Sequence, residues 1–257
     1  MRRLWPLDEG NVSPGLVADP ELERCYAYPQ ELVRAWVRVG FVSSVDGGVT
    51  VGGVAEGLSS PTDHRVFDLL RSLADVVLVG AGTVRNEGYR GVRLSGEHQQ
   101  RRLARGQAAV PPIAVVTASC ALDPDSALFT ETAVPPLIFT TSSASAQRRA
   151  RLAAAGAVVS MLGTERVEPT RLLSHLERCG LPRVLCEGGP RLHGDLIAAS
   201  AVDELCLTVS PLLIGSQATR IAAGPAPAEL FRMHLATILT EDHQLLLRYV
   251  RRASADD

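Results

Sequence analysis

Val76-Val77-Leu78-Val79-Gly80-Ala81-Gly82-Thr83-Val84-Arg85 runs an unbroken apolar stretch straight into two glycines and a threonine, with a second periodic segment beyond them. Four aliphatic residues in a row read as a strand buried on both faces, the habit of a parallel sheet. Glycine lets the backbone approach an anion with no Cβ in the way, and the amides and dipole of a following helix N-terminus favour negative charge. A similar unit recurs at Arg183-Val184-Leu185-Cys186, which breaks on Glu187-Gly188-Gly189-Pro190 and resumes as a helix from Leu192 to Ala199. Together the two turns are candidate phosphate cradles for one extended cofactor. Either alone reads equally well as an ordinary strand-to-helix turn.

Working outward, Val37-Arg38-Val39-Gly40-Phe41-Val42 reads as a strand, Ser43 to Gly48 as a tight loop and Val49-Thr50-Val51 as a short strand before Gly52-Gly53. Ser60-Pro61-Thr62-Asp63 opens a helix, with a serine N-cap and proline at the first position, and Val66, Leu69, Leu70 and Leu73 follow at helical spacing. Residues 86–109 are polar and arginine-rich and read as a long loop. Strands at Ile113 to Val116, Leu137 to Phe139, Val158 to Met161 and Glu204 to Val209 alternate with helices at Ala144 to Ala155 and Pro169 to Cys179. That alternation argues for an α/β sheet with parallel pairings. Leu235 to Leu239 and Leu245 to Val250 flank Glu241-Asp242-His243 as a terminal antiparallel hairpin. Residues 1–34, with Pro6, Pro14, Pro20 and Pro29 and no sustained period, read as a wrapped extension; 35–252 form one domain and 253–257 a tail.

Composition bounds the chemistry. The chain has 257 residues, 46% hydrophobic and 21% charged, with net charge −2 and a pI of about 6.3, an ordinary globular balance that argues against a coat for nucleic acid or anionic membrane. It contains no lysine, which removes the Schiff base, the Walker lysine and the Ser-Lys dyad and leaves anion recognition to arginine forks and backbone amides. The arginines at Arg101, Arg102 and Arg105 and at Arg148, Arg149 and Arg151 read as solvated helix faces. Cys25, Cys120, Cys179, Cys186 and Cys206 are scattered and read as reduced structural thiols, and the six histidines lack metal-ligand spacing. With no apolar run of membrane-spanning length and no signal segment, the expected location is the cytoplasm.

Ser44-Val45-Asp46-Gly47, Leu69-Leu70-Arg71 with Ala74-Asp75-Val76, Gly80-Ala81-Gly82-Thr83-Val84-Arg85, Glu187-Gly188-Gly189-Pro190, and Val202-Asp203-Glu204-Leu205 with Pro211 and Gly215 resemble, in order and spacing, the reductase half of the riboflavin-biosynthesis deaminase-reductase family. The likeness covers Trp36 to Val250. It implies a dihydrofolate-reductase-like three-layer fold, with a mixed, mostly parallel central sheet and the C-terminal hairpin. It also implies an NADPH cofactor, a homodimer, and reduction of 5-amino-6-(5-phosphoribosylamino)uracil to its ribitylamino form.

Carried over residue by residue, the resemblance implies that Gly80, Ala81, Gly82 and Thr83 bind NADPH together with Gly188, Gly189, Pro190, Arg191 and Leu192, that Val42 gives a backbone contact on the nicotinamide side, and that Glu87 helps hold the cofactor. Ser44, Arg71, Arg93 and Glu187 fall at candidate substrate contacts, and Asp46 and Glu187 are the candidate catalytic carboxylates. A guanidinium suits a phosphorylated ribose, and a carboxylate suits the donor-rich edge of an aminopyrimidine. No acid follows the Gly-x-Gly turn at the spacing that serves a free 2′-hydroxyl, so NADPH is expected over NADH, with Thr117, Ser119, Thr140 to Ser142 and Arg191 as candidate 2′-phosphate partners.

The chain departs from the family in three places. It lacks the His-x-Glu and Pro-Cys-x-x-Cys of the zinc deaminase half. Gly40 stands where a lysine is usual, and Glu87-Gly88-Tyr89 replaces Asp-Asp-Pro. The last two fall at the substrate end, so a paralogue reducing dihydrofolate or another heterocycle, and a non-catalytic NADPH-binding module, stay open beside the pyrimidine reductase. Asp46 is equally a turn residue before glycine, and Arg71, near Arg65 and Asp68, is equally part of a solvated face. His193, just past the second glycine turn, reads with the other histidines as surface or packing.

Overall fold

The computed structural model describes residues 1–6, 15–215 and 219–251. In chain order the elements are β1 (Arg2–Trp5), β2 (Gly15–Leu16), α1 (Asp19–Cys25), β3 (Trp36–Ser44), a 3-10 turn (Glu56–Leu58), α2 (Pro61–Leu73), β4 (Val76–Gly80), α3 (Ala81–Asn86), α4 (Gly96–Ala104), β5 (Ile113–Val116) and α5 (Ala127–Thr130). There follow β6 (Leu137–Thr140), α6 (Ala146–Ala154), β7 (Val158–Met161), α7 (Pro169–Arg178), β8 (Arg183–Cys186), α8 (Pro190–Ala198), β9 (Glu204–Ser210), β10 (Met233–Glu241) and β11 (Gln244–Arg251).

All the strands join one sheet in the order β2-β1-β10-β11-β9-β3-β8-β4-β5-β6-β7. From β9 to β7 every pairing is parallel, while β11, β10, β1 and β2 add antiparallel strands at one edge. The apolar strand runs alternate between two cores. Val77, Val79, Ile113, Val115 and Leu185 pack with α2, α3 and α6 on one face, while Val76, Leu78, Ala114, Val184 and Cys186 pack with α7 and α8 on the other. The chain lays down β4 to β7 in one direction and then returns to insert β8 between β3 and β4. Right-handed crossovers send helices to opposite faces when the direction reverses, which yields the three layers.

Local chemistry sets the element ends. Ser60 caps α2 by accepting the Asp63 amide at 3.1 Å, with Pro61 at the first position. Asp242 and His243 turn the hairpin with φ of 51° and 64°, the left-handed pair that matches strand twist. Arg38 and Glu204, both fully buried, are register partners on β3 and β9. Glu204 accepts Arg38 Nε at 2.8 Å, Arg248 Nε at 2.7 Å and the Trp36 indole at 3.1 Å, which binds β3, β9 and β11 together.

Three expectations are corrected. Residues 86–109 are not a loop throughout, because α4 lies within them. Arg102 is its buried residue rather than a solvated one, donating to the carbonyls of Ala108 at 2.8 Å and Ser72 at 3.0 Å, and burial draws its pKa down to about 10. An arginine used as a core residue leaves no apolar period to read. Arg101, from the same cluster, pairs with Glu23 at 2.6 Å. Residues 49–51 form no strand, only an isolated bridge from Val51 to Val54. The N-terminal extension packs onto the domain, as β1 pairs with β10 and Leu22, Tyr26 and Tyr28 enter the first core. The tail at 253–257 lies outside the described residues.

Candidate active site

The two glycine turns are one structure. The Gly80 amide donates to the Gly188 carbonyl at 2.8 Å. A Cβ on Gly80 would stand 3.2 Å from the Gly189 nitrogen, and a Cβ on Gly189 would stand 2.5 Å from Thr83 Oγ1. Adjacent parallel strands β4 and β8 thus end side by side, and α3 and α8 start from the same spot. Their first-turn amides have no intrahelical acceptors, so they converge on one region. There a cleft of ≈ 1280 Å³ opens at the carboxyl ends of β3, β8, β4 and β5, where ligands of open α/β sheets bind. It exceeds the ~300–1,000 Å³ of a single drug-sized site, so it has room for a dinucleotide and a second small molecule.

Arg71, Glu187 and Tyr89 meet across the floor. Arg71 Nε and Nη2 donate to the two Glu187 oxygens at 2.7 and 2.8 Å, and the Tyr89 hydroxyl donates to Glu187 Oε2 at 2.7 Å. The Phe67 ring lies under the guanidinium at 4.3 Å. Burial opposes the Arg71 charge, but the Glu187 carboxylate outweighs it and holds the guanidinium above its usual range. Burial and the same carboxylate push the Tyr89 hydroxyl well above its ordinary value, so it stays a donor. Arg71 is therefore turned into the cleft, not paired with Asp68 on a solvated face.

Val42, Gly80 to Thr83, Glu87, Thr117 and Gly189 to Leu192 all line the cleft with Arg71 and Glu187. Glu87 also accepts the Ala55 amide at 3.0 Å, tying α3 to the turn before α2. Four candidates stand elsewhere, among them Gly188, whose carbonyl is taken by the Gly80 amide behind the cleft wall. Arg93 lies on the surface and pairs with Glu131 at 2.8 Å. Ser44 is buried and donates to Asp46. The Asp46 carboxylate accepts the Gly215 and Ile214 amides at 2.8 and 3.2 Å, so it clasps two loops instead of reaching the cleft. The Ser44 hydroxyl and the Gly215 amide hold its pKa below the usual range, which makes it a poor proton donor near neutral pH. Of the proposed 2′-phosphate partners, Thr140 and Thr141 are fully buried.

Arg166 lines the cleft without having been singled out from sequence, and so does Tyr89, which the sequence marked only as a departure from the family and gave no role. The signal for Tyr89 was the glycine before it. Gly88 takes φ of 62° just past α3, and the Tyr89 amide reaches back to the Val84 carbonyl at 3.2 Å, the glycine stop that reverses a chain at a helix end. Gly40 also lines the cleft, and a Cβ there would make only ordinary contacts, 3.6 Å to Leu70 and Leu185. His193 is buried beneath the second turn, stacked on Phe41 at 5.2 Å with Nδ1 2.9 Å from the Ile221 carbonyl. Among the described residues no group of three or more His, Cys, Asp or Glu is placed to hold a metal, and no helix is long and apolar enough to cross a membrane.

Comparison with known proteins places this geometry. The sequence profile of the RibD C-terminal domain matches residues 35–247. The chain is 30% identical over 186 residues to a 2,5-diamino-6-ribosylamino-4(3H)-pyrimidinone 5′-phosphate reductase of Archaeoglobus fulgidus, covering 72% of this chain and 84% of that protein. It is 27% identical over 197 residues to the riboflavin biosynthesis protein RibD of Bacillus amyloliquefaciens, covering 76% of this chain and 50% of that longer one. Among solved structures, a pyrimidine reductase-like protein of Corynebacterium diphtheriae superposes with a TM-score of 0.79 at 24% identity, over 90% of this chain and 99% of that one.

Proposed function

Since the chain belongs to the RibD C-terminal domain family, we propose that it is an NADPH-dependent reductase of the riboflavin-pathway type. Its substrate on this reading is a 6-(5-phosphoribosylamino)pyrimidine, either 5-amino-6-(5-phosphoribosylamino)uracil or the 2-amino counterpart on which the Archaeoglobus fulgidus relative acts by name. The observation that carries the proposal is the interlocking of the two glycine turns beside Arg71 in one cleft.

The residues fit a dinucleotide. The cradle at Gly80, Gly188 and Gly189 is closed to any Cβ on its inner side, the amides opening α3 and α8 suit a pyrophosphate, and Thr83 and Thr117 supply hydroxyls along its path. Bound there, a reduced nicotinamide supplies hydride. Delivered to C1′ of the ribosylamino group, that hydride, with a proton taken up from solvent by the ribose ring oxygen as the C1′–O bond breaks, would give the ribityl chain. Arg71 orients the substrate through its anionic end, and the apolar floor of Phe67 and Leu70 excludes water from the reacting carbon. The protein supplies position and electrostatics; the cofactor supplies the chemistry.

The test is NADPH oxidation by the purified protein, followed with the two pyrimidines and with dihydrofolate. Turnover of either pyrimidine supports the reading. Dihydrofolate turnover alone would assign the paralogous activity, and tight NADPH binding without oxidation of any substrate would assign a non-catalytic module. A Cβ at Gly40 meets only ordinary contacts, and Gly40→Lys should raise pyrimidine reduction while leaving dihydrofolate reduction no better.

We also infer a homodimer. Leu212, Leu213 and Leu245 are exposed at the β9–β11 end of the sheet, and a second copy covering them would remove apolar surface from water. Light scattering at micromolar concentration should give twice the chain mass, and a monomer would refute the pairing.

A further inference from the structure

Both oxygens of Glu187 are engaged inside the protein. Oε1 takes Arg71 Nε, Oε2 takes Arg71 Nη2 and the Tyr89 hydroxyl, and the side chain is 1% exposed. A carboxylate so enclosed has no free edge to offer a pyrimidine. Arg71 differs, because its side chain is 19% exposed in the cleft and its Nη1 has no acceptor among the hydrogen bonds of the described residues. The guanidinium carbon lies 4.3 Å from the centre of the Phe67 ring and 5.8 Å from that of Tyr89. Tyr89 in turn is aimed by the glycine stop at Gly88.

We propose that Tyr89 is a positioning residue for anion recognition: with Glu187 it frames Arg71 so that only the Nη1 edge faces the cleft, toward a phosphate or carboxylate on the substrate. Glu187 is on this view part of the frame and not a substrate contact. The frame falls where Glu87-Gly88-Tyr89 stands in place of Asp-Asp-Pro, and a proline in the Tyr89 position has no hydroxyl to complete it. A framed arginine loses little side-chain entropy on binding, so the gain shows as affinity for the anion. The inference rests on the reductase reading of the cleft.

Tyr89→Phe removes one hydroxyl and keeps the ring. Steady-state kinetics should show KM for the phosphorylated pyrimidine rising about tenfold, the scale of one hydrogen bond to a charged group. Meanwhile kcat, NADPH affinity and KM for the dephosphorylated pyrimidine should hold. With Arg71→Lys already in place, Tyr89→Phe should add nothing, since coupled residues are non-additive. An equal rise in KM for both pyrimidines, a fall in kcat alone, or no change overturns the proposal. Should Tyr89→Phe fail to fold, Gly88→Ala, which strains the φ of 62° that aims Tyr89 and meets nothing within 4 Å, carries the same selective expectation. Calorimetry with ribose 5-phosphate against ribose, on the NADP⁺-loaded protein, separates the two levels of inference. Absence of turnover in the unaltered protein would sink the reductase reading, whereas an unchanged preference for ribose 5-phosphate in Tyr89→Phe would sink the frame.

Discussion

Gly189 and Thr83 approach so closely that a methyl group on the glycine would stand 2.5 Å from the threonine hydroxyl, and this contact joins two distant turns into one cradle. Gly189→Ala must displace Thr83, an overpacking that costs about 1–3 kcal/mol, and it should weaken NADPH binding. Thr83→Ala in the same chain should restore much of the stability without the affinity. At Gly82 a Cβ meets nothing within 4 Å, so Gly82→Val should melt normally and still fail to bind, because the new side chain fills the cleft. Thermal melts beside calorimetry separate the two cases; a Gly82→Val protein that binds NADPH normally would place the cofactor elsewhere.

Arg166 lines the cleft with Thr117 and Ser119, on the loop whose Gly163 and Thr164 carbonyls accept the Ser142 and Ser143 amides. No acidic side chain among the described residues pairs with it. We expect NADPH to bind better than NADH, and Arg166→Ala to narrow the difference by about 1.5–3 kcal/mol, the range for a hydrogen bond to a charged group. Titrations of both cofactors check this, and an unchanged ratio would exclude Arg166 from the 2′-phosphate.

Glu204 sits between two arginines with no exposure. Burial raises its pKa, but Arg38 and Arg248 outweigh that and hold it below the ordinary 4.5. Glu204→Gln leaves both cations uncompensated and should cost about 3–5 kcal/mol in urea unfolding. Because the folded value is the lower one, the contribution is present above pH 4.5 and lost as pH falls below it.

His193 titrates in the opposite sense to a paired histidine. Burial lowers its pKa below 6.5, only partly offset by the Ile221 carbonyl. The unfolded chain therefore binds the proton more readily, and stability falls as pH drops below about 6.5. His193→Phe keeps a ring against Phe41 and should flatten that part of the profile. Melting temperatures from pH 7.5 to 5 that show the same slope in both proteins would contradict it.

Much of the layered sheet was written in local pattern. Short β-branched runs that break on glycine, such as Val76 to Val79, read as doubly buried strands, and Ser60-Pro61 and Asp242-His243 carry their cap and turn chemistry within a few residues. What lay beyond reading was whatever depends on distant partners. Helix α4 hid because its buried residue is Arg102, whose carbonyl acceptors at Ser72 and Ala74 lie about thirty positions away.

The site divides along the same line. Sequence by itself determined that two strands end on glycines, that anion binding falls to arginine and backbone amides, and that Arg71 and Glu187 carry chemistry worth testing. Tertiary structure alone decided that β4 and β8 are neighbours, so that Gly80 and Gly189 interlock, that Arg71 spends its fork on Glu187, that Tyr89 closes that pair, and that Asp46 clasps loops outside the cleft. The physical reason is one of range. Propensity and capping act within a turn or two of chain, whereas a carboxylate's partners are set by which strand ends meet, and that is decided by packing of the whole sheet.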